Sequence, residues 1–206
     1  MGFRKGTLTL AKYRVIGTLP DNFRTFVDER LKLFAFRELS VDETEKSVGW
    51  TSFENVLDTN FEYASYSLAD YLVFSLRIDR RVVSPSLLKL KVLEAERQTT
   101  VQRSKGLGYR EKRSDIRERV HLSLLKQTPP TPSIHEVCWN VSAGWLLFGS
   151  LSEKIREDFE DLFKRTFGLT VHRFVPWDAN YMSAEMAERT LSATTATPFH
   201  TSTERT

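Results

Sequence analysis

The clearest hydrophobic pattern in the chain is an alternation of large apolar residues with smaller or polar ones over positions 70–79. The large apolar side chains occupy every second position: Leu72, Phe74, Leu76 and Ile78. Because successive side chains of a strand point to opposite faces, this alternation predicts a strand with one buried face. Similar patterns predict strands over residues 7–16, 47–53 and 169–177, and a hairpin that joins 134–141 to 145–149.

Two segments show the spacing of an amphipathic helix. After Asn22, apolar residues recur at three- and four-residue intervals, which predicts a helix with one face packed on the sheet. A second helix is predicted after residue 150, where Ser150 and Glu153 have the spacing of a capping box. Glycine is common just past a helix, so we expect Phe167 and Gly168 to end it.

A third helical region is predicted over residues 84–127. Ser84 and Pro85 suit the N-cap and the first helical position. Glycine disfavours helix, so we expect an interruption at 106–108, and Pro129 to stop the region. In the second half of this region we expect Ile116, Val120 and Leu124 to face the protein, with the arginines elsewhere.

The order of these elements predicts an α+β fold. We expect a mostly antiparallel sheet covered by helices on one face, with residues 84–127 as a charged helical insert. After residue 177 the chain becomes rich in Ser, Thr and Ala without periodicity. We therefore predict one domain over residues 1–177 and a low-complexity, disordered tail over 178–206.

Charge changes this picture because it is unevenly distributed. The formal net charge is only +3, but residues 38–70 carry eight acids against one lysine, and residues 97–126 carry nine Lys or Arg against three acids. A basic segment of this kind fits a surface that contacts phosphates. It also fits a solvated helix with i,i+4 ion pairs, and the charge pattern alone does not separate the two.

Candidate chemistry is sparse. No Asp or Glu is followed two positions later by Lys, as is common in metal-dependent nucleases, and no P-loop motif is present. The four histidines form no i,i+3 or i,i+4 pair, and the single cysteine, Cys138, lies in an apolar run where we expect it to be buried. We interpret the acids at 157–161 as a solvated helix face. We therefore predict no catalytic residue, no metal and no cofactor.

Neither a signal peptide nor a membrane span is predicted. The charged N-terminus is followed by no apolar run, and no window approaches the length of a transmembrane segment. We expect a cytoplasmic protein.

Several short motifs, in their order and spacing, resemble the RdgC family of recombination-associated proteins of bacteria. These are Gly49–Trp50 after the first helix, Val83–Leu88 at the start of the insert, and Val120–Leu125 at its end. The Trp139 strand with its hairpin, and the helix 151–167 that leads into 171–176, also match. The resemblance covers about residues 1–177. The best-known members have a longer C-terminal part, so we expect a short form.

The resemblance implies a function on DNA. Such proteins bind double-stranded DNA without sequence preference, restrain the recombinase RecA, and form ring-shaped homodimers, so we expect a nucleoid-associated homodimer. The family also carries a putative-exonuclease label, and a metal-dependent nuclease therefore remains an alternative, which the missing carboxylate set disfavours. A second alternative is a protein–protein adaptor whose basic segment docks an acidic partner.

On this interpretation the DNA-binding residues are the cations of the insert. Their role would be to contact phosphates without reading bases. We predict contacts from Arg103, Lys105, Arg110, Lys112, Arg113, Arg117, Arg119 and Lys126, with Arg4, Lys5 and Lys12 as secondary candidates.

Overall fold

The computed structural model describes residues 9–40, 45–104, 113–175 and 183–192. The strands are β1 (Ala11–Ile16), β2 (Lys46–Ser52), β3 (Ser67–Leu68), β4 (Tyr71–Arg80), β5 (Thr131–Asn140), β6 (Trp145–Phe148) and β7 (Thr170–Arg173). The helices are α1 (Phe23–Leu33), α2 (Pro85–Ser104), α3 (Arg113–Gln127), α4 (Glu153–Phe167) and α5 (Ala184–Ser192). This element order confirms the predicted α+β class.

The strands form a single sheet in the order β2-β4-β5-β6-β1-β7, with the short β3 also paired to β4. Every strand pair is antiparallel. The predicted alternation in β4 is confirmed, because Leu72, Phe74, Leu76 and Ile78 all belong to the buried core. The predicted hairpin is also confirmed as β5 and β6, which pair from Val137 with Phe148 to Asn140 with Trp145.

Helices α1 and α4 cover the apolar face of the sheet, and aromatic rings fill the space between them. Phe159 of α4 stacks on Phe148 of β6 with ring centroids 4.2 Å apart, and Phe163 lies edge-on to Trp139 at 5.3 Å. Trp50 donates a hydrogen bond from Nε1 to Thr166 Oγ1 at 2.8 Å, so its buried polar atom is satisfied. The layer on this face is therefore held by ring packing, to which the buried hydrogen bond between Trp50 and Thr166 adds.

The Gly49–Trp50 motif has a steric explanation. The segment after α1 lies against β2, with hydrogen bonds from Phe36 N to Trp50 O and from Trp50 N to Phe34 O. A Cβ on Gly49 would lie 2.3 Å from the Phe36 Cα, which no side chain tolerates. Glycine is needed here because another backbone passes directly over the strand.

The predicted capping box at the start of α4 is wrong. The N-cap of α4 is Ser152 rather than Ser150, and it makes no side-chain capping bond. Ser150, which follows β6, is buried instead, and its hydroxyl accepts a hydrogen bond from Ser152 N at 3.3 Å. No capping box therefore forms. The end of α4 agrees with the prediction, since Gly168 adopts a left-handed conformation with φ of 70°.

The segment predicted to be a disordered tail contains α5. The sequence Ala-Glu-Met-Ala-Glu-Arg consists of good helix formers, which favours a short helix here. An i,i+4 ion pair between Glu185 and Arg189, 2.8 Å long, adds to its local stability. The remainder of that segment, 178–182 and 193–206, lies outside the described residues.

Candidate nucleic-acid interface

The predicted DNA-binding residues are only partly within the described structure. Arg4, Lys5, Lys105, Arg110 and Lys112 lie outside it, and Arg103 lies in α2 with its side chain outside the description. The described members are Arg113, Arg117, Arg119 and Lys126 of α3, and Lys12 of β1. All five are exposed.

The four cations of α3 lie on two different sides of the helix. Residues seven apart are separated by almost two full turns and therefore share a side. Arg117 shares its side with the buried Leu124, and Arg113 shares its side with the half-buried Val120. Both arginines are nevertheless exposed while Ile116 and Leu124 are buried, which agrees with the expectation that the apolar residues face the protein.

Arg113 and Arg117 line a groove that α3 forms with the start of α2. The groove has a volume of about 720 Å³ and an apolar floor of Val83, Pro85, Leu88 and Val92. Lys89 of α2 lies on its edge opposite the two arginines, so three cations surround one opening. The Arg113 guanidinium also pairs with Glu96 at 2.8 Å, which leaves the group with a net positive charge.

A second, smaller groove shows how the two helices are arranged. It is lined by residues 91–98 of α2 and 119–127 of α3. Together with the first groove and the ion pair between Arg113 and Glu96, it shows that α3 packs against α2 along much of its length. The chain order had suggested the helical insert but gave no information on this arrangement.

Lys126 occupies the outer side of α3, and Arg119, seven residues before it, also lines the second groove. Their side of the helix also carries Asp115 and Leu122, the latter 53% exposed. This outer side is therefore mixed in charge. The groove with Lys89, Arg113 and Arg117 is the more concentrated positive surface, and Lys89 is a member that the sequence analysis missed because it precedes the basic segment.

Two acids of α4 contact polar residues of the sheet, and one of them neutralises two cations. Asp158 of α4 accepts hydrogen bonds from both Lys46 and Arg80, the latter at 2.6 Å, and its side chain is only 16% exposed. Glu160 accepts a hydrogen bond from the Tyr13 hydroxyl at 2.9 Å. The interpretation of these two α4 acids as a solvated face is therefore wrong, because they fasten the helix to the sheet.

Partial burial shifts the pKa values of two titratable groups on the sheet, His135 and Cys138. Burial lowers the pKa of His135, although a contact between its Nδ1 and the Gly149 carbonyl oxygen at 3.4 Å acts against this. Cys138 is half-buried rather than fully buried, and burial raises the pKa of its thiol. A thiol of this kind is a poor nucleophile.

Within the described ranges there is no group of three or more His, Cys, Asp or Glu placed to hold a metal ion. In the same part of the chain, no helix is both long and apolar enough to cross a bilayer.

The geometry defines an α+β protein with an antiparallel sheet, an aromatic layer on one face and a cationic groove between two inserted helices. A comparison with protein families matches residues 10–204 to the family described as "Putative exonuclease, RdgC". The chain therefore belongs to the RdgC family, which is associated with recombination. The match continues past residue 177 and so extends further than the resemblance noted in the sequence. A search of curated proteins gave no match.

Proposed function

We propose that this protein binds double-stranded DNA without sequence preference and acts in recombination without catalysing a reaction itself. The observation that carries the proposal is the convergence of Lys89, Arg113 and Arg117 on one groove, in a chain of the RdgC family. Cations that contact phosphates release counterions, which gives affinity that depends on salt and not on base sequence.

The groove provides long, exposed donors rather than a rigid pocket for one base. The Arg113 side chain is 78% exposed, so it reaches a phosphate without displacing buried groups. Lys126 adds charge on the outer side of α3 and Arg119 adds charge beside the second groove, so that a duplex lying along this helix meets cations on more than one side. Such contacts position a duplex and do not read its sequence.

A double variant tests this assignment. In Arg113→Ala/Arg117→Ala, the slope of log affinity against log salt for a random-sequence duplex should become shallower by about 1.8, since each lost phosphate contact removes about 0.9. Lys164→Ala is the matched control, because Lys164 is an exposed cation near the end of α4. An unchanged slope in the folded double variant would reject the groove as the phosphate site.

The proposed consequence for recombination is that DNA coated by this protein is withheld from a RecA-type recombinase. Strand exchange by such a recombinase should fall when the protein is added to the duplex first, and excess duplex should restore it. Inhibition that excess duplex fails to relieve would indicate direct contact with the recombinase. We also propose a homodimer, for which the molar mass in solution from light scattering is the direct test.

Nuclease assays test the proposal that the protein does not itself cleave DNA. Labelled duplex incubated with the protein and Mg²⁺ should stay intact. Digestion that requires Mg²⁺ and stops on adding a chelator would contradict it and support the exonuclease description of the family.

A further inference from the structure

We propose that the sheet face opposite α1 and α4, here called the second face, binds single-stranded DNA by stacking unpaired bases on Tyr71 and Trp145. This inference goes beyond duplex binding by the α2–α3 groove. It rests on a different set of residues, so the single-strand proposal and the duplex proposal can be tested separately.

The strand register brings five chemically suitable residues into one row. Tyr71 of β4 pairs with Asn140 of β5, which pairs with Trp145 of β6. Trp145 pairs with Arg14 of β1, and Arg14 pairs with His172 of β7. At a strand spacing of about 4.8 Å, the row is about 19 Å long.

The row lies on the second face because its neighbours in sequence face the helices. Leu72 and Tyr13 are core residues, and Leu146 is fully buried. Side chains alternate along each strand, so Tyr71, Arg14 and Trp145 point the other way. The row is partly accessible, since Tyr71 is 37% exposed, Trp145 is half-buried, and Arg14 and His172 are exposed.

The two aromatic rings form one platform. The Tyr71 and Trp145 centroids are 5.9 Å apart with the rings inclined at 59°. Aromatic side chains on an open sheet are a sequence-tolerant support for unpaired bases, whereas the bases of a duplex are already stacked and cannot use them. Asn140 lies between the rings and provides an amide for a base edge.

Charge on this face favours a nucleic acid over an apolar protein partner. Arg14 and His172 end the row, and Lys12 occupies the next position of β1 on the same face, opposite Leu147. Among the described strand residues of this face, the nearest acid along β5 from Asn140 is Glu136, four residues away, and Asp79 is held by Arg77 at 2.9 Å. Cations beside an aromatic platform match the phosphates and bases of one strand.

The experiment measures anisotropy of a labelled oligo-dT of about 15 nucleotides, with a labelled duplex in parallel. Tyr71→Leu and Trp145→Leu should each weaken oligo-dT binding about 5- to 150-fold and leave duplex affinity unchanged. Arg14→Gln, an exposed substitution that spares the fold, should weaken oligo-dT binding and flatten its salt dependence. Tyr63→Leu and Arg24→Gln are the matched controls, since both residues are exposed and lie off this face.

The outcomes separate this inference from the duplex proposal. Unchanged oligo-dT affinity in folded Trp145→Leu and in Arg14→Gln would overturn it, even if the duplex results hold. Loss of duplex binding together with oligo-dT binding in Trp145→Leu would also overturn it, because one shared surface would then serve both ligands. Tighter binding of oligo-rU than of oligo-dT would reject the assignment to DNA.

Discussion

The layer formed by α4 and the sheet differs sharply from the α2–α3 insert. In the first region Phe148, Phe159 and Phe163 are fully buried and every ring contacts another ring. In the second, leucines such as Leu90 and Leu122 are more than half exposed. Burial of aromatic rings in the first region stabilises the fold, whereas the second region presents exposed side chains that a ligand could contact.

The difference teaches how one chain can separate folding from binding. In the α4 region some charges are paired within the fold, since Asp158 accepts hydrogen bonds from both Lys46 and Arg80. The described cations of α3 are exposed to solvent, and one of them, Arg113, also pairs with Glu96. Exposed helices with few buried contacts are also the regions that open most readily in native proteins.

The largest effect is expected for Phe159→Ala, which would break the packed region. Phe159 stacks on Phe148 and contacts Tyr13, Trp50 and Phe163. We expect the free energy of unfolding to fall by about 3 to 5 kcal/mol, because a large cavity would replace the ring. Chemical denaturation measures this directly. A loss below about 1 kcal/mol would show that the aromatic layer does not dominate stability.

A smaller but still substantial loss is expected for Gly49→Ala. The added methyl would meet the Phe36 backbone, and backbone cannot swing aside as a flexible side chain can. Overpacking of this kind costs about 1 to 3 kcal/mol. Gly144→Ala is an instructive comparison by denaturation, since no atom lies within 4 Å of a Cβ there, although its φ of 67° disfavours alanine. If Gly49→Ala left the free energy of unfolding unchanged, that result would contradict the steric explanation.

The pH dependence of stability sharpens the comparison further, because His135 belongs to the packed region. Burial lowers its folded pKa below the ordinary value of 6.5, so the unfolded chain binds the proton more tightly. Stability should therefore be highest above pH 6.5 and fall as the pH drops below it. Thermal melts between about pH 7.5 and 5 should show this decline, with a weaker decline in His135→Leu.

The matched control for this series is His172→Gln, because His172 is exposed on β7. Its decline with falling pH should equal that of the unaltered protein. If His135→Leu keeps the full decline, another group is responsible for it.

The smallest effect is expected in the insert. Leu122 is 53% exposed on the outer side of α3, so Leu122→Ala should change the free energy of unfolding by less than about 0.5 kcal/mol. Denaturation alongside Phe159→Ala makes the contrast quantitative. A loss approaching that of Phe159→Ala would mean that the insert is part of the main core.

Much of the fold was predictable because its signals are local. The alternation in β4 and the glycine after α4 each act within a few residues, and both predictions agree with the structure. The start of α4 was misplaced because Ser150 and Ser152 are both plausible N-caps, and only the burial of Ser150 decides between them.

The candidate sites depended on longer-range information. Composition indicated basic helices, but the grouping of Lys89 with Arg113 and Arg117 depends on how α2 lies against α3. Likewise, Tyr71 and Trp145 are 74 positions apart, and they meet only because β4, β5 and β6 are adjacent in the sheet. Strand order and helix packing follow from the fold of the whole chain, which no short motif encodes.

The most direct test of the central claim is the binding of a labelled random-sequence duplex to the unaltered protein across a salt series. The account predicts measurable affinity at low salt, a linear fall of log affinity with log salt, and the same slope for two unrelated sequences. Absence of binding even at low salt would contradict it. The cations of the α2–α3 groove would then serve a protein contact, and binding to duplex DNA could not be assigned to this chain.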